Sequence, residues 1–198
     1  MKTVLQKLAC LTLALSLLLA ASGTATASLD SAAITLSASQ WEANFQNLLE
    51  YAAENGLPLT DSTAFSVAEF PAPDGRVGSE HSLVLADFMR VTYYDFGDDV
   101  FDSAMLTIRL DHDDRPVEMA QMAIFFTILA GDTDTTWEEF NALLEAMCPI
   151  FVEVFVGDER VNGMQAATLR GVGYGMEVND GERFIRLYTN VSLTQNDE

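Results

Sequence analysis

Cys148, His81, His112 and 30 carboxylates are the side chains from which this chain could assemble a reactive centre. A cysteine with a histidine is the pairing of a thiol hydrolase. It needs a thiolate on an accessible element with an imidazole in contact. Cys148 instead lies between Met147 and Pro149, at the expected end of a helix, in the most apolar stretch after the N-terminal segment. There it reads as a buried structural thiol, because unpaired cysteine is among the most buried residue types.

The aspartates cluster as Asp95, Asp98, Asp99 and Asp102, and again as Asp111, Asp113 and Asp114 around His112. Hard cations want several such oxygens at once. Asp132-Thr133-Asp134 opens like a calcium loop, but Trp137 stands where the loop needs glycine and Leu143 where it closes. These aspartates fall at strand ends and helix starts, where turn geometry and the helix dipole favour them. No metal and no cofactor is therefore expected. A glycosidase needs two carboxyl groups at a set separation, and nothing here singles out a pair. Gly171-Val-Gly-Tyr-Gly175 lacks the lysine and the following helix of a phosphate loop, and reads as a strand.

A sheet face offers more than any of these. In two segments, Met89, Val91 and Tyr93 alternate with Arg90, Thr92 and Tyr94, and Ala104, Leu106 and Ile108 with Ser103, Met105, Thr107 and Arg109. In a third, Ile185 and Leu187 alternate with Phe184, Arg186 and Tyr188. Successive side chains of a strand point to opposite faces. If helices cover the aliphatic side, the other side gathers Arg90, Tyr94, Arg109, Phe184, Arg186 and Tyr188. Arginine and tyrosine are the residues that anchor interfaces. The same residues suit a solvated face with arginines paired to carboxylates, since an antiparallel sheet commonly leaves one side in water.

The elements that must position these residues can be read in order. Lys2 and Lys7, the apolar run Leu8–Ala21 and Ala25-Thr26-Ala27 form a secretory signal, residues 1–27, with cleavage expected after Ala27. The run is short of the ~20 residues of a membrane span. Residues 28–198 carry eight arginines and no lysine against all 30 carboxylates. Such a chain repels nucleic acid and anionic lipid and favours cationic partners. Loss of Cys10 with the signal leaves Cys148 without an intrachain disulfide. The expected setting is outside the cytoplasm of a bacterium, secreted or periplasmic.

Ser37-Ala-Ser-Gln40 has the form of a capping box, and Trp41, Phe45, Leu48, Leu49 and Ala52 share one helix face. Gly56 and Pro58 end that helix. Strands are expected over 64–70, over 82–96 with an irregularity near Ala86-Asp87, and over 101–111. Residues 117–130 form a helix apolar almost all round. Thr136–Glu139 is a second capping box, opening a helix that Pro149 breaks. Ile150–Val156, Val172–Val178 and Phe184–Val191 read as three more strands, the last two joined at Asn179-Asp180-Gly181.

The fold class predicted is α+β: an antiparallel sheet of about six strands with three helices packed on one face. Residues 28–198 read as a single compact domain. It is either undivided or built of two helix-plus-three-strand repeats, 37–115 and 132–193, joined by helix 117–130. Phe45-Gln-Asn-Leu48-Leu49-Glu50 and Phe140-Asn-Ala-Leu143-Leu144-Glu145 carry the internal likeness. In pattern the arrangement resembles secreted two-repeat binders of the β-lactamase inhibitory protein type, which implies one sheet face presented to a partner. The function expected is an exported, non-catalytic binding module for a protein or small ligand. A small secreted hydrolase is the alternative.

Overall fold

The computed structural model describes residues 34–72, 75–97, 99–109, 117–156, 163–179, 181 and 183–190, and the side chains of all but 117–118 and 148–156. The segment expected as a signal, the tail after 190, Asp98 and the stretch holding His112 and its aspartates lie outside these residues, as does the Cys148 side chain.

Helix α1, Ala38–Glu54, starts where the capping box placed it. The Gln40 N–H donates to Ser37 Oγ at 3.2 Å. A distant loop completes the cap: the Ala38 N–H donates to the Asp99 carbonyl at 2.9 Å and the Ser39 N–H to Asp99 Oδ1 at 2.6 Å. Three of the four amides that a helix start leaves open are thereby satisfied. At the other end, Gly56 takes φ +78°. The Gly56 N–H then reaches the Ala53 carbonyl and the Leu57 N–H the Ala52 carbonyl, at 3.0 and 2.9 Å, which closes the helix by a Schellman motif.

Among the described residues the fold is α+β, with three helices and one seven-stranded antiparallel sheet. The strands are β1 Ser66–Pro71, β2 Val77–Ala86, β3 Met89–Asp95, β4 Phe101–Arg109, β5 Gly163–Leu169, β6 Val172–Asn179 and β7 Phe184–Thr189. Their spatial order is β1-β2-β3-β4-β7-β6-β5. A four-strand meander and a three-strand meander thus meet where β4 pairs with β7. The strand expected over 82–96 is in fact a hairpin, β2 to β3, with a register shift between Val84 and Ala86.

That hairpin raises the strand count from about six to seven, and two further differences offset each other. Ile150–Val156 is the last part of helix α3, Trp137–Val156, which runs through Pro149. Proline removes one helical hydrogen bond, at about 3 kcal/mol, yet the helix continues beyond it. A short continuous apolar run does not distinguish helix from strand by its period. In its place β5 supplies the missing edge strand. Its residues, Gly-Met-Gln-Ala-Ala-Thr-Leu, hardly alternate.

The core follows the alternation. Met89, Val91, Tyr93, Ala104, Leu106, Ile108, Met176, Ile185 and Leu187 are all buried. They join Trp41, Phe45 and Leu49 of α1, Phe140, Leu143 and Met147 of α3, and Ala123, Ile124 and Ile128 of helix α2, Val117–Gly131, in one cluster. Each of the larger side chains among them contributes roughly 1.5–3 kcal/mol on burial. Helix α1 touches β3 and β4, α2 touches α1, β4 and β7, and α3 touches β5 and β6. At the α1 end, Trp41 stacks on Phe45 at 5.2 Å and on Phe101 at 5.6 Å.

Candidate functional site

Pairing across the sheet lines up the side chains of the face opposite Leu106 in rows. One row runs Glu80, Tyr94, Ser103. The next runs Ser82, Thr92, Met105, Tyr188, Gly175. A third runs Val84, Arg90, Thr107, Arg186, Glu177, Met164. Arg109, Phe184 and Asn179 close the set. All six residues singled out in the sequence therefore share this face, and Leu106, Ile108, Ile185 and Leu187 are buried behind it.

They are not equally accessible. Arg90 and Arg109 are exposed, and Tyr94, Arg186 and Tyr188 are half-buried. Phe184, expected as a docking aromatic, is buried at 6 % exposure. The reason is its neighbour: the Arg186 guanidinium carbon lies 3.8 Å above the ring. Arg186 Nη1 is also 3.8 Å from Glu177 Oε2, and Tyr188 donates its hydroxyl to the same oxygen at 2.6 Å. Glu177 so holds both side chains. Thr92 is buried too, its hydroxyl 3.0 Å from that of Ser82.

Burial raises the Tyr94 phenol above its usual range, and the Glu80 carboxylate adds to the effect. Burial likewise raises Tyr188, with Glu177 accepting its hydrogen bond and Arg186 acting the other way. Both phenols are neutral hydrogen-bonding groups at physiological pH.

Two depressions lie either side of Tyr188. One, of about 640 Å³, is lined by Met164, Glu177, Val178, Asn179 and Gly181 with Tyr188. The other, of about 470 Å³, is lined by Phe70, Arg76, Tyr94, Phe96, Asp102, Ser103 and Met105 with Tyr188. Phe70 packs 4.7 Å from Tyr94 and 6.1 Å from Phe96. The Arg76 guanidinium lies 4.0 Å over the Phe96 ring. Gly78 makes this wall possible. A Cβ there would lie 2.7 Å from Phe96 Cδ1 and would collide with the Asp95 carbonyl oxygen. Sequence reasoning missed Phe70, Arg76 and Phe96, which sit at or beyond strand ends. The signal for them was a glycine inside a strand, which marks close approach of other atoms.

The ingredients of hydrolysis lie elsewhere. His81 belongs to the opposite set of β2 positions, beside Tyr93. Its Nε2 is 2.6 Å from Asp95 Oδ2, and its ring stacks on Tyr93 at 4.3 Å. Tyr93 in turn donates its hydroxyl to Glu42. Burial, reinforced by Glu42, raises that phenol far above its usual range. His81 lines neither depression. Among the described residues, no group of three His, Cys, Asp or Glu could hold a metal ion. Asp99, Asp132 and Glu139 instead cap α1 or meet Arg170.

No helix among the described residues is long and apolar enough to cross a membrane. Compared with protein-family models, curated proteins and solved structures, the chain matches none of them.

Proposed function

We propose that this is an exported, non-catalytic binding module that docks a partner on the sheet face carrying Tyr94 and Tyr188. In this reading residues 1–27 are removed on export. The three helices all shield the Leu106 side, and residues 37–115 and 132–193, each a helix followed by strands, are halves of an old duplication joined by the helix 117–130. The partner is a protein or small ligand met outside the cytoplasm; nucleic acid is disfavoured by 30 carboxylates against 10 basic residues.

One observation carries the proposal. The two depressions on the Tyr94 face share Tyr188 as a common wall. Around them stand half-buried tyrosines whose hydroxyls are held by carboxylates, an amphipathic and pre-ordered surface of the kind that anchors interfaces. Arg90 and Arg109 lie exposed towards the other end of the same face.

The test is recovery of partners from the surrounding medium by the wild type, by Tyr94→Ala/Tyr188→Ala, and by Glu138→Ala at the start of α3. The double variant should lose a partner that the other two keep. Equal recovery by all three would sink the reading.

The hydrolase alternative rests on the His81–Asp95 pair, 2.6 Å apart and partly shielded from solvent. Hydrolysis of any ester or amide substrate that His81→Ala abolishes would favour it over the binder.

A further inference from the structure

The Tyr94 face is mixed in charge, so its partner could be basic or acidic, and the groove beside Phe70 decides between these. We propose that this groove takes a guanidinium or ammonium group presented by a basic segment of the partner protein. The inference rests on the docking reading above and names the chemistry of the same site.

Four observations converge. First, Phe70, Tyr94 and Phe96 bring three rings together, at 4.7 and 6.1 Å, in a groove of about 470 Å³. Aromatic faces carry negative potential and attract cations within about 6 Å of the ring centre. Second, one of these rings already holds such a group, since Arg76 lies 4.0 Å over Phe96. The chain's own guanidinium displays the mode of contact. Third, acceptors stand at the rim: Asp102 and Ser103 line the groove, and Glu80 sits beside Tyr94. They would receive the N–H groups of a cation whose apolar stem lies on the rings. Fourth, the net charge of −20 draws positive partners from a distance.

An anionic ligand meets the opposite conditions. Among the described residues lining the groove the cation is Arg76, which is engaged by Phe96, and Arg186 nearby is engaged by Phe184 and Glu177. The wall is also built rather than accidental. Phe96 folds back over a residue with no side chain, Gly78, and any Cβ there would collide with it.

The experiment uses short Gly/Ser peptides with a single central Arg, Lys or Glu. Binding is followed through the backbone amide signals in two-dimensional NMR spectra. Salt is held at about 0.15 M, which screens attraction beyond about 8 Å. The Arg and Lys peptides should shift the signals of Phe70, Tyr94 and Phe96 saturably, and the Glu peptide should not. Tyr94→Ala should weaken the Arg peptide by at least about fivefold, and Tyr94→Phe, which keeps the ring, should not. Should Tyr94→Ala fail to fold, Phe70→Ala on the edge strand carries the same expectation. Arg76→Ala should bind the Arg peptide as well or better, because it vacates the Phe96 ring.

Equal or tighter binding of the Glu peptide, or loss of Arg-peptide binding in Arg76→Ala, would overturn the proposal. If no peptide shifts these signals while Tyr94→Ala/Tyr188→Ala still loses its partner, the cation chemistry is wrong and the docking face stands. If the peptides bind as expected and that double variant loses nothing, the cation site stands and the docking face falls.

Discussion

The guanidinium of Arg170 meets both carboxylate oxygens of Glu139 at 2.9 Å. Arg170 sits in the turn between β5 and β6, and Glu139 in the first turn of α3. Glu139 also accepts the Thr136 N–H at 2.8 Å, while its own N–H donates to Thr136 Oγ1, the reciprocal pair of a capping box. Arg170, then Thr136, holds the Glu139 carboxyl down to about 2 from an ordinary 4.5. A carboxyl depressed on folding favours the folded state fully above its unfolded value, and that contribution fades as pH falls through the folded one. Glu139→Gln should therefore lower Tm at pH 7. The gap to wild type should shrink from about pH 4.5 down to about pH 2 and close below it. A gap independent of pH would show that the carboxylate's charge plays no part.

Leu106 and Thr107 are neighbours on β4 that face opposite ways, Leu106 at 0 % exposure. Leu106→Ala should cost about 2–5 kcal/mol in urea unfolding, through lost burial and the cavity left behind. Thr107→Ala, on the half-exposed face, should stay within about 0.5 kcal/mol. Equal costs at the two positions would contradict the facing of β4.

Gly78 has no room for a methyl group. Gly78→Ala should destabilise by about 1–3 kcal/mol, the usual penalty of overpacking. Adding Phe96→Ala should recover only part of this, because the Asp95 carbonyl oxygen still stands against the new Cβ position. Full recovery in the double variant would place the whole conflict on the ring.

Arg186 covers Phe184. Arg186→Ala should cost about 0.5–1 kcal/mol, the worth of a cation over a ring that stays partly in water. It should also raise binding of a dye that reports apolar surface. Arg186→Lys should recover little, since a point charge cannot lie flat on the ring as a guanidinium does. A lysine variant as stable as wild type would assign the effect to charge alone.

Much of this was legible in the chain. Strict alternation in 103–109 and 184–188 gave both faces of β4 and β7. Ser37 and Thr136 marked two helix starts, because a cap is a local interaction among four residues. What escaped is not written in the alternation. Phe184 fits the pattern of an exposed aromatic, but Arg186 folds over its ring. Strand β5 lacks alternation, and its best signal was the Arg170-Gly171 turn, where both residues take positive φ, 49° and 82°. The run Ile150–Val156 suits either state, and a proline just before it argued for the wrong one.

Asp99 caps a helix whose second residue, Ser39, stands 60 positions before it. Arg170 grips the start of another from 31 residues downstream. Neither helix is finished by its own neighbourhood, and in proteins most helical stability comes from packing of one face rather than from the helix alone. A peptide spanning 37–56 should accordingly be mostly coil in circular dichroism. In a ribosome-bound chain, α1 should firm up only after the loop holding Asp99 has emerged and folded back, so the earliest of the described helices waits on residues made well after it.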